Sequence, residues 1–216
     1  MNKIDLIAVE TERSQPDELD SNKKVFYLND YDDLSINYFN LTPDITAKND
    51  TDVELQNNYR KVAYESGAAI IEVKKVKLGV FDSIKTIFKF PMQPQGMAYI
   101  GSYTIPFKNF SYVIKVQCIE QGTTGIRDNT IFELMLRKGK VKLNPEKKTV
   151  EGWMHDPYDE SVQLPFMMNL SEAEAFDAQF PEHPLSRMRK FLKQIEETIK
   201  IDDSLLNEPK FEYGTN

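Results

Sequence analysis

Between residues 68 and 121 the chain runs through four β-patterned segments, and the connections between them are too short to hold a crossover helix. In the last segment Phe110, Tyr112, Ile114, Val116 and Cys118 share one parity, while Ser111, Val113, Lys115, Gln117 and Ile119 share the other. Side chains of a strand alternate between faces, so this segment has one dry face and one mixed face. Residues 83–90 repeat the pattern, with Ile84, Thr86, Phe88 and Phe90 opposite Lys85, Ile87 and Lys89. Residues 97–105 are apolar and aromatic, and Pro91, Pro94 and Gly96 mark the turn before them. Residues 68–78 form the first segment. Its phase slips at Lys74-Lys75, which predicts a bulge there. Segments joined this tightly pair as an antiparallel meander.

Three further strands are predicted over 4–9, 25–28 and 34–41, so the meander gains N-terminal neighbours. A helix over 52–65 is capped by Asp52 or Thr51 and ended by Gly67. A second helix, over 126–137, is capped by Thr123 or Thr124 and stopped by Gly139. The lysine-rich residues 140–148 read as a solvated connection. Ser171-Glu-Ala-Glu174 has capping-box spacing, which starts a short helix at Glu172. Pro184 suits the first position of the last helix, where Leu185, Met188, Leu192, Ile195 and Ile199 form one stripe. Residues after 203 lose periodicity. The expected architecture is one α+β domain over 1–203, an antiparallel sheet with helices packed on it, and a loose tail over 204–216.

Composition narrows the partners. Lys plus Arg total 27 against 34 Asp plus Glu, a net charge of -7. Nucleic acid and anionic membranes call for the opposite balance, so neither is expected as the main partner. No apolar leader follows Lys3, and no run approaches the roughly 18 apolar residues of a membrane span. A single cysteine rules out an internal disulfide and suits a cytoplasmic protein. No motif calls for a cofactor.

Three groups of residues are candidates for chemistry or binding. Gly122-Thr-Thr-Gly-Ile-Arg127 is a glycine-bearing turn feeding a helix start, so Thr123, Thr124 and Arg127 are candidate ligands for a small anion. It lacks the Lys-Ser/Thr ending of a P-loop, and a plain strand-to-helix corner accounts for it equally. His155, Asp156 and Asp159 could hold a divalent cation, although their spacing matches no established metal loop and a solvated acidic turn is simpler. Tyr99 and Tyr103, with Phe110 and Tyr112 on the next strand, are either a partner-binding face or the core beneath the helices. Cys118 lies on the dry face, where a free thiol acts as a small hydrophobe, and His183 precedes Pro184 as a helix-boundary residue.

Two stretches carry a resemblance. Residues 86–118, which include Phe90-Pro-Met-Gln-Pro-Gln-Gly-Met-Ala-Tyr-Ile-Gly101, and the run Phe180-Pro-Glu-His-Pro-Leu-Ser-Arg187 resemble a bacterial protein family with a C-terminal FPxHPLSR signature. That resemblance spans roughly residues 59–192 and brings no catalytic residues with it. The order of elements is also similar to the α/β/α sandwich of PsbP, DcrB-type proteins and chaperones of secreted effectors, which is an analogy of fold and not of function. The expectation is a non-enzymatic protein-binding module of a bacterial cytosol, of the immunity, adaptor or chaperone kind, with another protein as partner. The alternative is an enzyme or sensor for a small anion at 122–127.

Overall fold

The computed structural model describes residues 3–11, 17–45, 51–146 and 149–214. In chain order the strands before the meander are β1 (Ile7–Ala8), β2 (Asp17–Asp20), β3 (Lys23–Tyr27) and β4 (Asp32–Phe39). Helix α1 (Asp52–Glu65) leads into β5 (Ala69–Leu78), β6 (Phe81–Pro91), β7 (Met97–Pro106) and β8 (Ser111–Ile119). Then come α2 (Ile126–Arg137), β9 (Lys142–Asn144), β10 (Thr149–Glu151), β11 (Met154–His155) and β12 (Met168–Asn169). Helix α3 (Pro184–Thr198) and β13 (Lys200–Ile201) complete the set, with short 3-10 turns between.

The meander forms as its alternation requires, with β5, β6, β7 and β8 each antiparallel to the next. Strand β4 then pairs with the free side of β8, from Asp32 opposite Cys118 to Phe39 opposite Ser111. The result is a seven-stranded antiparallel sheet in the order β2-β3-β4-β8-β7-β6-β5. The strand expected over 4–9 is not formed as such: Lys3–Leu6 is a 3-10 turn, and only Ile7–Ala8 is strand, paired with β13 outside the main sheet.

Helices cover both faces. On one, Leu185, Met188, Leu192 and Ile195 of α3 join Ile36, Tyr99, Tyr103, Tyr112, Ile114 and Val116 in the larger core. Gly101 permits this approach, because a Cβ there would lie 2.5 Å from the Met188 sulfur and 2.7 Å from Leu192. On the opposite face, Leu55 and Ala63 of α1 pack with Ile45, Ile70, Val73 and Ile84. Antiparallel sheets need only one covered face, and here the second is covered at the β5–β6 end. The outer edge of β5 is closed by Tyr158. Its hydroxyl accepts from the Val73 N–H at 2.5 Å and donates to the Val73 carbonyl at 3.0 Å, which blunts the edge against further pairing.

Three further local expectations are corrected. The β5 bulge lies between Ile70 and Glu72, whereas Lys74 and Lys75 pair in register with Lys85 and Ile84. It sends Ile71 into the α3-side core and Val73 into the α1-side core. Thr51 caps α1 as expected, but α2 starts from Gly125 in the left-handed region (φ 75°), with no side-chain cap from Thr123 or Thr124. The capping box is made by Asn169 and Glu172 and opens a 3-10 turn over Leu170–Glu172.

The C-terminal segment is not loose. Leu205 is buried in the α3-side core, Lys210 bridges Phe107, and Phe211 and Tyr213 pack against the α1-side core. Leu192 and Leu205 are 0% and 2% exposed, so Leu192→Ala and deletion of residues after 203 should each cost on the order of 2–5 kcal/mol. Urea unfolding of the two variants tests this; a deletion that leaves the midpoint unchanged contradicts the packed tail.

Candidate functional site

The strand-to-helix corner at 122–127 already holds a carboxylate of its own. Glu120 accepts from the Gly125 N–H at 2.6 Å and from the Met97 N–H at 3.1 Å, so it takes the place an external anion would need. Thr123 is exposed and Thr124 half-buried. Arg127 is turned inward and is only 1% exposed. Its Nε donates to the Ser171 carbonyl (2.7 Å), its Nη1 to Ser186 Oγ (2.9 Å), and its Nη2 to the Ala173 carbonyl (3.0 Å). Asp177 pairs with it at 3.0 Å. The expectation of an anion clamp is corrected for a physical reason: Arg127 lies on the buried stripe of α2 with Ile131, and its donors are spent on the fold.

The candidate metal ligands do not converge either. Asp156 is buried and grips Arg60 through two hydrogen bonds of 2.6 and 2.7 Å. Its Oδ1 also accepts from the backbone N–H groups of Tyr158 and Asp159, both at 3.0 Å. Burial works to raise this carboxyl, but the Arg60 and backbone hydrogen bonds outweigh it and hold it below the usual carboxylate range. His155 Nδ1 donates to the Asp156 carbonyl at 3.2 Å, and the Asp159 side chain is occupied by Ser161. Among the described residues no cluster of three or more His, Cys, Asp or Glu is placed to hold a metal.

Tyr99 and Tyr103 are core and not a partner face, at 1% and 0% exposure beneath α3. The Tyr103 hydroxyl donates to the Leu192 carbonyl at 3.1 Å and contacts Glu196. The Tyr99 hydroxyl donates to Glu172 Oε1 at 2.8 Å. Cys118 is fully buried, and burial pushes its thiol up, away from the reactive thiolate.

The run 180–187 contributes to a largely buried polar clasp. Arg187 makes a two-pronged bond to Asp32 (2.7 and 2.9 Å) and donates to the Ile119 carbonyl (3.0 Å), tying α3 to β4 and β8. Arg189 holds Asp177 and the Glu172 carbonyl. Glu172, itself fully buried, pairs with Lys89 at 2.8 Å and also receives the Asn169 N–H at 2.7 Å. His183 caps α3 by accepting from the Leu185 N–H at 3.3 Å and meets Tyr99 edge-on. Burial, and then the charges of Arg127, Arg187 and Arg189, lower its pKa from 6.5 to about 3.

The neutral His183 ring therefore contributes stability that is fully present above pH 6.5. Below that pH the unfolded chain takes up a proton that the folded chain refuses until about pH 3. Between pH 6 and pH 5 the wild type should lose about 1 kcal/mol more than His183→Asn, an uncharged capping replacement. Parallel slopes in denaturant titrations at the two pH values refute this.

One feature read from the sequence as a simple connection is built differently. Residues 137–151 hold Arg137, Lys138, Lys140, Lys142, Lys147 and Lys148 against Glu146 and Glu151, so the segment is +4 and the remainder of the -7 chain is -11. Strands β9 and β10 pair only with each other and form a hairpin arm. Leu143 and Val150 sit directly opposite one another on one of its faces, 54% and 44% exposed. The base is anchored by buried Val141 and by Lys140 N–H donating to the Met135 carbonyl at 2.9 Å. Gly152 (φ 79°) closes it, since a Cβ there would lie 2.5 Å from the Lys140 carbonyl oxygen. The lysine run was the available signal; the hairpin pairing and its open apolar pair were not visible without the backbone.

No helix among the described residues is long and apolar enough to cross a membrane. No protein-family model and no curated protein matches the sequence. A crystal structure from Bacteroides thetaiotaomicron VPI-5482 is similar over 51% of this chain and 37% of that one, at 12% identity and a TM-score of 0.30. The chain thus spans little more than a third of that protein's length, and the likeness is too slight to bear on function.

Proposed function

We propose that this protein is a non-enzymatic protein-binding module of the adaptor or immunity kind, acting in the cytoplasm, and that its arm at 138–151 docks on an acidic protein. The observation that carries this reading is the arm itself. A lone two-stranded hairpin is marginal in water, yet this one is anchored at its base and leaves the Leu143–Val150 pair open. A net-basic segment that bears an exposed apolar pair suits a protein surface with a hydrophobic spot inside an acidic rim, whereas nucleic acid would make no use of the apolar pair. Several ionisable groups that could carry chemistry are engaged within the fold. Arg127, Asp156, Glu172 and Lys89 are committed to internal bonds, and Cys118 is enclosed.

A photo-crosslinking residue placed at Leu143 in the full chain, with a second placed at exposed Tyr64 on α1 as control, tests the proposal in native lysate. The expected product is one nuclease-resistant adduct at position 143, identified by mass spectrometry as an acidic protein. The same adduct should be lost in Lys138→Glu/Lys140→Glu/Lys142→Glu and weakened by salt, since exposed charge attraction is screened. A nuclease-sensitive adduct would assign the arm to nucleic acid, an adduct of twice the chain mass to a second copy, and equal labelling at both positions would reject the arm as an interface.

A further inference from the structure

The C-terminal segment passes around one end of the sheet. Leu205 belongs to the core beneath α3, whereas Phe211 and Tyr213 pack with the core beneath α1 on the other face. Between this strap and the ends of β6 and β7 lies a cleft of about 820 Å³. That volume falls within the roughly 300–1,000 Å³ of sites that hold small molecules. Ile84, Ile105 and Phe107, all less than 5% exposed, lie along it, and Val80 and Leu206 stand exposed at its mouth.

Its aromatic lining comes from both sides. The sheet contributes Phe81 and Phe107, which meet edge to face with centroids 6.2 Å apart. The strap contributes Phe211 and Tyr213, edge to face at 5.2 Å. Rings offer a bound ring both stacked and edge contacts, a preference beyond the area they bury. The polar lining selects no charge. Lys75 and Lys210 stand with Asp82, Glu208 and Glu212, so an ion of either sign meets its own sign. Ser83 is spent on the Thr104 carbonyl at 2.9 Å, and no buried side-chain polar atom among the described residues lacks a partner.

We propose that this cleft, which lies on elements other than the hairpin arm, is a binding site for an uncharged small molecule bearing aromatic rings. Recognition is by shape and ring contact, with the strap as one wall. Because the strap links the two cores, a ligand held against it also stabilises the packing of the C-terminal segment.

The probe is N-phenyl-1-naphthylamine, an uncharged aromatic dye whose fluorescence rises in apolar surroundings, titrated into the full chain. Saturable enhancement at one dye per chain is expected, with a rise in melting temperature. Phe211→Ala/Tyr213→Ala should bind at least tenfold more weakly, while Tyr27→Ala, at an exposed ring outside the cleft, should bind as the wild type does. If the double alanine variant does not melt cooperatively, Val80→Glu/Leu206→Glu decides instead, because it changes only exposed positions at the mouth, and the same loss is expected. The proposal is overturned if wild type shows no saturable signal, if a cooperatively melting cleft variant binds like wild type, or if Tyr27→Ala weakens binding as much as the cleft variants do.

Discussion

Ile114→Asp is expected to abolish cooperative folding. Ile114 is fully buried at the centre of β8, with Ile36 opposite it on β4 and Tyr103 opposite it on β7. Its side chain points into the core under α3. A carboxylate there must either stay charged without a partner or take a proton and leave its polar atoms unsatisfied, and both options are costly. Whole-domain stabilities are only about 5–15 kcal/mol, so one such defect in the middle strand consumes most of the margin. Circular dichroism and thermal melting should show no cooperative transition. A soluble variant with a sharp melt would mean that the faces of β8 are reversed.

Arg127→Ala should be the next most damaging change, at roughly 2–5 kcal/mol, because it strips donors from buried carbonyls and vacates a large buried volume. The guanidinium serves three acceptors in different directions, the Ser171 and Ala173 carbonyls and the Ser186 hydroxyl, besides its pairing with Asp177. Arg189 keeps Asp177 partnered when Arg127 is gone, so most of the loss comes from the two carbonyls and the vacated volume. Arg127→Lys should rescue little, because an ammonium cannot reproduce the planar fork. Urea unfolding of the three proteins measures this. Phosphate should shift their midpoints equally; a phosphate response that depends on Arg127 would restore the anion site and contradict the internal role assigned here.

The alternation of residues 83–90 and 110–118 reads directly as strands, and the short turns between them leave only an antiparallel meander. Periodicity of 3.6 marks α3, and Pro184 marks its start. These are local properties: side-chain direction follows from backbone geometry, and a cap is decided within four residues. The signal weakens where partners are remote. Lys85 and Lys89 share a parity with buried Ile87, yet they are paired with Glu196 and Glu172, 111 and 83 residues away.

Charged residues usually mark an exposed face, and only a distant carboxylate makes an inward lysine tolerable. The internal role of Arg127 is hidden for the same reason, since Asp177 and the groups it serves come from 171–186. The β5 bulge and the docked tail depend on what lies above each face, which no alternation pattern contains. By itself, then, the sequence determined the four meander strands, the helices α1, α2 and α3 and the antiparallel order of the meander, because each follows from neighbours along the chain. Tertiary structure alone decided which faces are covered, where Arg127 and Glu172 are spent, and that a basic hairpin and an aromatic cleft remain open, because burial and ion pairing arise between residues far apart in sequence.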